Sequence, residues 1–222
     1  VYFDGHPDKT WSRRCRGGIK MTNGAAQTTS PLRILGIAGS LRAGSYNRAL
    51  LRAAQELAPQ GIAIVTFDLD AIPPYNADVE AQGFPGPVVA FKAAIAGAGA
   101  LLIATPEYNH SIPGVLKNAL DWASRPPKQS PLDGKPAAIM GASTGAIGTA
   151  RAQQHLRLVG AYVNMLVLNQ PEVLVARAQD KFDASGRLTD EPTRQFLVKF
   201  LQAFVHWVAR VGAGEETVEG RE

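Results

Sequence analysis

Apolar residues along this chain fall into two alternating patterns. Short, near-continuous runs are followed by stripes at helical spacing. The first run, residues 32–38, holds Leu32, Ile34, Leu35 and Ile37, as expected of a strand covered on both faces. Residues 45–58 follow as a helix with Leu50, Leu51, Ala54 and Leu57 on one face, and Pro59-Gln60-Gly61 stops it. A second strand spans 62–67. Residues 68–87 form a long loop, since the prolines of Ile72-Pro73-Pro74-Tyr75-Asn76 oppose a continuing element. A helix over 87–97 carries Val88, Phe91 and Ile95, and a buried strand over 100–104 follows. After the loop 105–113 come a helix over 114–124, a polar connection, a strand over 136–140 and a glycine-rich loop over 141–148. A fourth helix covers 149–159, and a fifth strand 162–168. Residues 172–186 read as an excursion. The last helix, 189–211, is capped by Thr189 or Asp190, with Pro192 in its first turn and Phe196, Leu197, Phe200, Leu201, Phe204, Val205 and Val208 on its apolar face.

Strands and helices alternate five times. This rhythm predicts an α/β fold: a doubly wound, five-stranded parallel sheet with helices on both faces. In such a fold the ligand lies beyond the carboxyl ends of the strands, near the point where the strand order reverses.

The length of 222 residues, 45% of them hydrophobic, fits one substantial core. The apolar runs are too short to cross a membrane as helices, and no apolar segment follows the basic start as in a secretory signal. A cytoplasmic location is the default expectation. The single cysteine, Cys15, excludes an internal disulfide and any paired-cysteine metal or redox motif. The net charge is +4, but five basic and two acidic residues among the first twenty leave only +1 for the other 202. The basic balance is therefore a property of residues 1–20. It argues weakly for nucleic-acid binding by the body, which shows no recognition motif. Residues 1–30 read as an irregular amino-terminal arm or upstream extension, with Met21 at a position where a chain ordinarily starts. The alternative is an arm that packs on a partner through Tyr2, Phe3 and Trp11. Residues 31–211 form the folded domain, and 212–222 a flexible carboxyl-terminal tail.

Three loops leave strand carboxyl ends and carry candidate chemistry. Loop one, Gly39-Ser40-Leu41-Arg42-Ala43-Gly44-Ser45-Tyr46-Asn47, runs from a strand into a helix N-terminus. Such a place offers free backbone N–H groups to an anion. Ser40, Ser45 and Asn47 add donors and Arg42 adds charge. The spacing matches neither the P-loop nor the dinucleotide fingerprint, and no lysine is present for β/γ-phosphate chemistry. A monophosphate is the expected ligand; helix capping by Ser45 is compatible with it. Loop two, Thr105-Pro106-Glu107-Tyr108-Asn109-His110-Ser111, offers a flat aromatic edge at Tyr108 and backbone amides over 107–109. Glu107 reads either as a loop-fixing carboxylate or as an acid or base. His110 has no metal-ligand companions, and His6, His155 and His206 lie in unrelated contexts. Loop three, Gly141-Ala142-Ser143-Thr144-Gly145-Ala146-Ile147-Gly148, lets backbone approach a planar ligand closely. A phosphate cup, a flat wall and a glycine-lined contact together match flavin mononucleotide, FMN. No catalytic side chain or metal is expected, because the cofactor would carry the chemistry.

The chain resembles the NAD(P)H-dependent FMN reductases of flavodoxin-like fold, most closely the bacterial quinone and chromate reductase branch. The resemblance rests on Gly39 to Asn47, on Thr105 to Trp122, on Leu132-Asp133-Gly134-Lys135-Pro136, on Gly148 to Arg157 and on Asn169-Gln170-Pro171-Glu172. It covers about residues 31–210. It implies that Ser40, Arg42, Ser45, Tyr46 and Asn47 bind FMN, with Ser40, Arg42, Ser45 and Asn47 at its phosphate. Pro106, Glu107, Tyr108 and Asn109 would contact the isoalloxazine ring, and Ser143 and Gly145 would close its pocket. Relatives often carry tyrosine or phenylalanine where this chain has His110, so the pocket over the flavin is expected to differ. The resemblance further implies ping-pong hydride transfer from NADPH or NADH to a quinone, with azo compounds and chromate as other acceptors. It also implies a homodimer or homotetramer, with the helix from Gly114 and the Arg125 region as interface candidates. Two alternatives remain at this point. One is a reductase that releases reduced FMN, and the other is a flavodoxin-like electron carrier. The nearly neutral body opposes the carrier, since small carriers commonly dock through strong charge.

Overall fold

The computed structural model describes residues 31–212. The expectations for the amino-terminal arm and for most of the carboxyl-terminal tail lie outside these residues. Four parallel strands form most of the sheet: β1 (Leu32–Ala38), β2 (Ile62–Phe67) at one edge, β3 (Ala100–Ala104) and β4 (Pro136–Ala142). Two short strands, β5 (Leu166–Val167) and β6 (Val173–Val175), both pair with β4. The order β2-β1-β3-β4-β5 reverses between β1 and β3, as in flavodoxin-like folds.

Neighbouring residues of a strand face opposite sides, so each central strand feeds two cores. Ile34, Leu102 and Met140 join Leu50 and Leu51 of α1 (Tyr46–Glu56) and Phe200, Leu201 and Phe204 of α6 (Glu191–Gly212). Leu35, Leu101 and Ile139 join Phe91 of α3 (Gly86–Ala96), Leu116 and Trp122 of α4 (Gly114–Ala123) and Leu156 of α5 (Ala150–Tyr162). Each fully buried Leu, Ile or Phe here contributes about 1.5–3 kcal/mol. No helix among the described residues is long and apolar enough to cross a membrane.

The structure departs from the sequence reading at four places. The fifth strand position is divided. α5 continues to Tyr162, β5 pairs with Pro136 and Ala137, and β6 pairs with Met140 to Ala142. Between them Pro171 supplies no N–H for a ladder, and Arg157 of α5 fills the break. Its guanidinium donates to Leu168 O at 2.9 Å and Asn169 Oδ1 at 3.3 Å and lies 3.8 Å from Glu172. The start of the expected excursion is thus strand. The long loop contains α2 (Ala77–Gln82), which has no buried residue and hence no apolar stripe to reveal it. Asn76 caps it, accepting from Asp78 N at 2.8 Å. β4 extends to Ala142, so Gly141 is a strand residue. α6 begins at Glu191 rather than Thr189, and of the two expected caps it is Asp190 whose carboxylate accepts from Thr193 N, at 3.0 Å.

Candidate active site

The register brings the three loops to one edge. Ala38 pairs with Ala104, and Ala104 with Met140. Gly39 N donates to Ala104 O and Thr105 N to Met140 O, both at 2.9 Å, so loops one and two leave the sheet side by side. Loop three follows two residues beyond Met140.

In loop one, Ser45 Oγ accepts from Asn47 N at 3.2 Å and caps α1. That bond leaves the hydroxyl proton free to donate. Among the described residues, the backbone N–H groups of Ser40 to Gly44 donate to no protein acceptor. Ser40 and Ser45 are buried, whereas Arg42 is exposed and reaches only Gly44 O at 3.4 Å. The Asn47 amide is bonded at both ends to the backbone of Ala142, which uses one of its two Nδ2 protons. It ties loop one to β4. Tyr46 packs its ring on Phe182, centroids 5.5 Å apart, and so reinforces the base of α1.

Loop two is a tight hairpin. Tyr108 and Ser111 exchange two backbone bonds of 2.9 Å, and Asn109 and His110 take φ of 50° and 65°. Positive φ at both central residues is the twist of a type I′ turn, and asparagine and histidine are among the non-glycine residues that adopt it most readily. α5 grips this turn on both sides. Glu107 Oε2 accepts from Arg151 N at 3.0 Å and Ala152 N at 3.2 Å, a capping interaction at the α5 N-terminus. Arg151 lies 3.6 Å from the other carboxylate oxygen. On the far side of the turn, His155 Nδ1 is 3.0 Å from Ser111 Oγ. The sequence reading set His155 apart. The structure brings it to loop two, because α5 passes beneath the hairpin. Pro106 is buried at the root of the turn.

Loop three begins on a close approach. A Cβ on Gly141 would stand 1.9 Å from Thr149 Oγ1 and 2.5 Å from Thr105 O, so only glycine fits. Ser143 Oγ accepts from Gly145 N at 3.1 Å, which leaves its proton free to donate. One large apolar side chain stands exposed in each loop: Leu41 at 49%, Tyr108 at 48% and Ile147 at 46%. Leu41 and Ile147 were not singled out from sequence; isolated apolar residues in loops carry no signal until the fold brings them to one edge.

The donor set fits a phosphorylated, planar ligand. Unpartnered amides of loop one suit an oxyanion, and the Ser45 and Ser143 hydroxyls add neutral donors. The exposed Leu41, Tyr108 and Ile147 suit a flat ring. A cleft of about 460 Å³, lined by Tyr75, Arg125, Lys128 and Tyr162 among others, is built from none of these loops.

The sequence pattern of the NADPH-dependent FMN reductases matches residues 32–180. The chain belongs to that family. It is therefore an oxidoreductase that uses FMN and a nicotinamide donor. It is 54% identical over 180 residues to an NAD(P)H-dependent FMN reductase of Pseudomonas aeruginosa, covering 81% of this chain and 97% of that one. It is 48% identical over 177 residues to the 2-hydroxy-1,4-benzoquinone reductase of a Burkholderia species, covering 80% and 96%. Among solved structures it resembles FerB, a flavoenzyme NAD(P)H:(acceptor) oxidoreductase from Paracoccus denitrificans. That likeness has a TM-score of 0.75 and 38% identity, over 80% of this chain and 97% of the other.

Proposed function

We propose that this FMN reductase passes two electrons from NADPH or NADH to a quinone, with FMN held by loops one, two and three. The observation that carries the reading is the convergence of unpartnered loop-one amides with three exposed apolar side chains at one sheet edge. The amides of Ser40 to Gly44, the Ser45 hydroxyl and Arg42 hold the phosphate. Asn47 holds loop one against β4, so those amides keep their places. The hairpin of Pro106 to Ser111 presents Tyr108 and the backbone of Asn109 to the ring, and Glu107 fixes that hairpin rather than moving a proton. Ser143 and the backbone near Gly145 donate to a ring carbonyl. Bound FMN supplies hydride acceptance and donation, which no side chain of this chain performs.

Leu41 and Ile147 complete an apolar rim for a flat acceptor. The similarity to the 2-hydroxy-1,4-benzoquinone reductase of a Burkholderia species supports this acceptor class. Azo compounds and chromate are secondary acceptors under the same reading. The reading also includes a homo-oligomer of this chain, in the cytoplasm. On α5, Leu158 is 70% and Tyr162 90% exposed, beside a groove that includes Leu120 and Val163. An apolar strip of this kind is expected at a subunit contact. Tyr162→Arg is expected to lower the mass found by light scattering, and an unchanged mass would remove this face from the assembly.

Initial velocities with NADPH and a benzoquinone test the catalytic reading. Parallel double-reciprocal lines, with flavin still on the protein after gel filtration, are expected. Intersecting lines, or flavin lost during turnover, would favour release of reduced FMN.

A further inference from the structure

We infer that Arg177 is the residue that reads the 2′-phosphate of the nicotinamide donor and makes this chain prefer NADPH. The inference rests on the proposed function. Arg177 follows β6 at the same sheet edge as the three loops, since Val175 pairs with Ala142. Its segment is bonded to loop three by Ser143 N to Val175 O at 2.9 Å, Arg177 N to Gly145 O at 3.1 Å and Ala178 N to Ser143 O at 3.0 Å. Packing adds to this: a Cβ on Gly148 would stand 2.9 Å from the Leu174 carbonyl carbon. Arg177 therefore keeps a fixed position relative to loop three. Its own backbone is left-handed, φ 48°, held by these bonds.

Among the described residues its side chain makes no hydrogen bond or ion pair. Arg48 is bonded to Asp68, Arg151 lies beside Glu107 at 3.6 Å, and Lys181 pairs with Asp190 at 2.9 Å. Arg177 is exposed, and among the described residues its guanidinium meets no carboxylate, although Asp180 follows on the same turn. Arg42 reaches only Gly44 O and meets no carboxylate among the described residues, but it belongs to the loop proposed to hold the cofactor phosphate. A guanidinium presents a planar fork that matches a phosphate monoester with two parallel hydrogen bonds. NADPH differs from NADH only by that monoester, so a guanidinium on the segment bonded to loop three, at the edge proposed to hold FMN, would separate the two.

The test uses the FMN-loaded protein and the variants Arg177→Asn, which tolerates positive φ, and Arg177→Lys. Anaerobic reduction rates are measured with NADPH and NADH. Independently, 2′,5′-ADP and 5′-AMP are titrated by calorimetry. Wild-type protein is expected to bind 2′,5′-ADP at least about tenfold more tightly than 5′-AMP, as one charge-assisted hydrogen-bonded pair provides. Arg177→Asn is expected to lose that difference and the NADPH preference, with NADH rates and FMN content unchanged. Arg177→Lys is expected to keep part of both. Wild-type protein that binds both nucleotides alike, or Arg177→Asn that keeps the wild-type difference, would overturn the assignment. A protein whose flavin neither donor reduces would instead overturn the functional reading beneath it.

Discussion

The Asn47 side chain and the Ala142 backbone exchange two hydrogen bonds, Nδ2 to the carbonyl and N–H to Oδ1, each 2.9 Å long. Ninety-five positions separate them in sequence. This pair joins the phosphate loop to the strand that launches loop three. Replacing Asn47 by alanine strands a buried N–H and a buried C=O and is expected to cost about 2–4 kcal/mol. Asn47→Asp keeps one acceptor but sets a second oxygen against the Ala142 carbonyl, so it is expected to recover stability as the carboxyl protonates at acid pH. Urea unfolding of both variants at two pH values checks this; an Asn47→Ala protein as stable as wild type would contradict it.

Glu107 acts in the same way between loop two and α5. Glu107→Ala removes an acceptor from two helix N-terminal amides and is expected to cost about 1 kcal/mol and weaken FMN binding. Glu107→Gln keeps an oxygen acceptor and loses only the charge at the helix end, worth about 0.3–1 kcal/mol. Flavin fluorescence titrations read the affinities. Gln and Ala variants that behave alike would show that the hydrogen bonds contribute nothing beyond the charge.

Gly141 and Gly44 provide a matched pair. A Cβ at Gly141 meets a side-chain oxygen at 1.9 Å and a backbone oxygen at 2.5 Å, whereas a Cβ at Gly44 meets nothing within 4 Å. Gly141→Ala is expected to lose about 3 kcal/mol or more, the upper end of overpacking costs. Gly44→Ala is expected to stay within about 0.5 kcal/mol of wild type. Thermal melts of the two side by side check the contrast.

The architecture was legible because the central strands are buried on both faces and so read as unbroken apolar runs, as at residues 100–104. The site was legible as three loops in one fold, not as side-chain roles. The tie from Asn47 to Ala142 could not be read from positions 95 residues apart, and His155 reads as an ordinary helix residue until its contact with Ser111 is seen. α2 was illegible because nothing in it is buried, and the divided β5–β6 edge because its break is filled by Arg157 from another element. Arg177 gave no signal, since an arginine in an irregular stretch reads as surface.

Asp190 sets an acid limit on the α6 cap. Hydrogen bonds from the Thr193 hydroxyl, then from Lys181, hold its carboxyl below the usual range. A carboxylate with a lower value folded than unfolded binds protons more readily when unfolded. Its contribution is therefore complete above the unfolded value and is lost as pH falls through the folded one. Wild-type melting temperature is expected to drop on acidification more steeply than that of Asp190→Asn, which has no proton to gain. Parallel slopes would remove Asp190 from the acid transition.

Whether the protein carries FMN that NADPH reduces is read from the visible spectrum of the purified protein under anaerobic NADPH. Flavin absorption is expected to stay with the protein, bleach on adding NADPH and return on adding a benzoquinone. A protein that binds no FMN even after reconstitution, or whose flavin is unchanged by either nicotinamide donor, would contradict the proposed function.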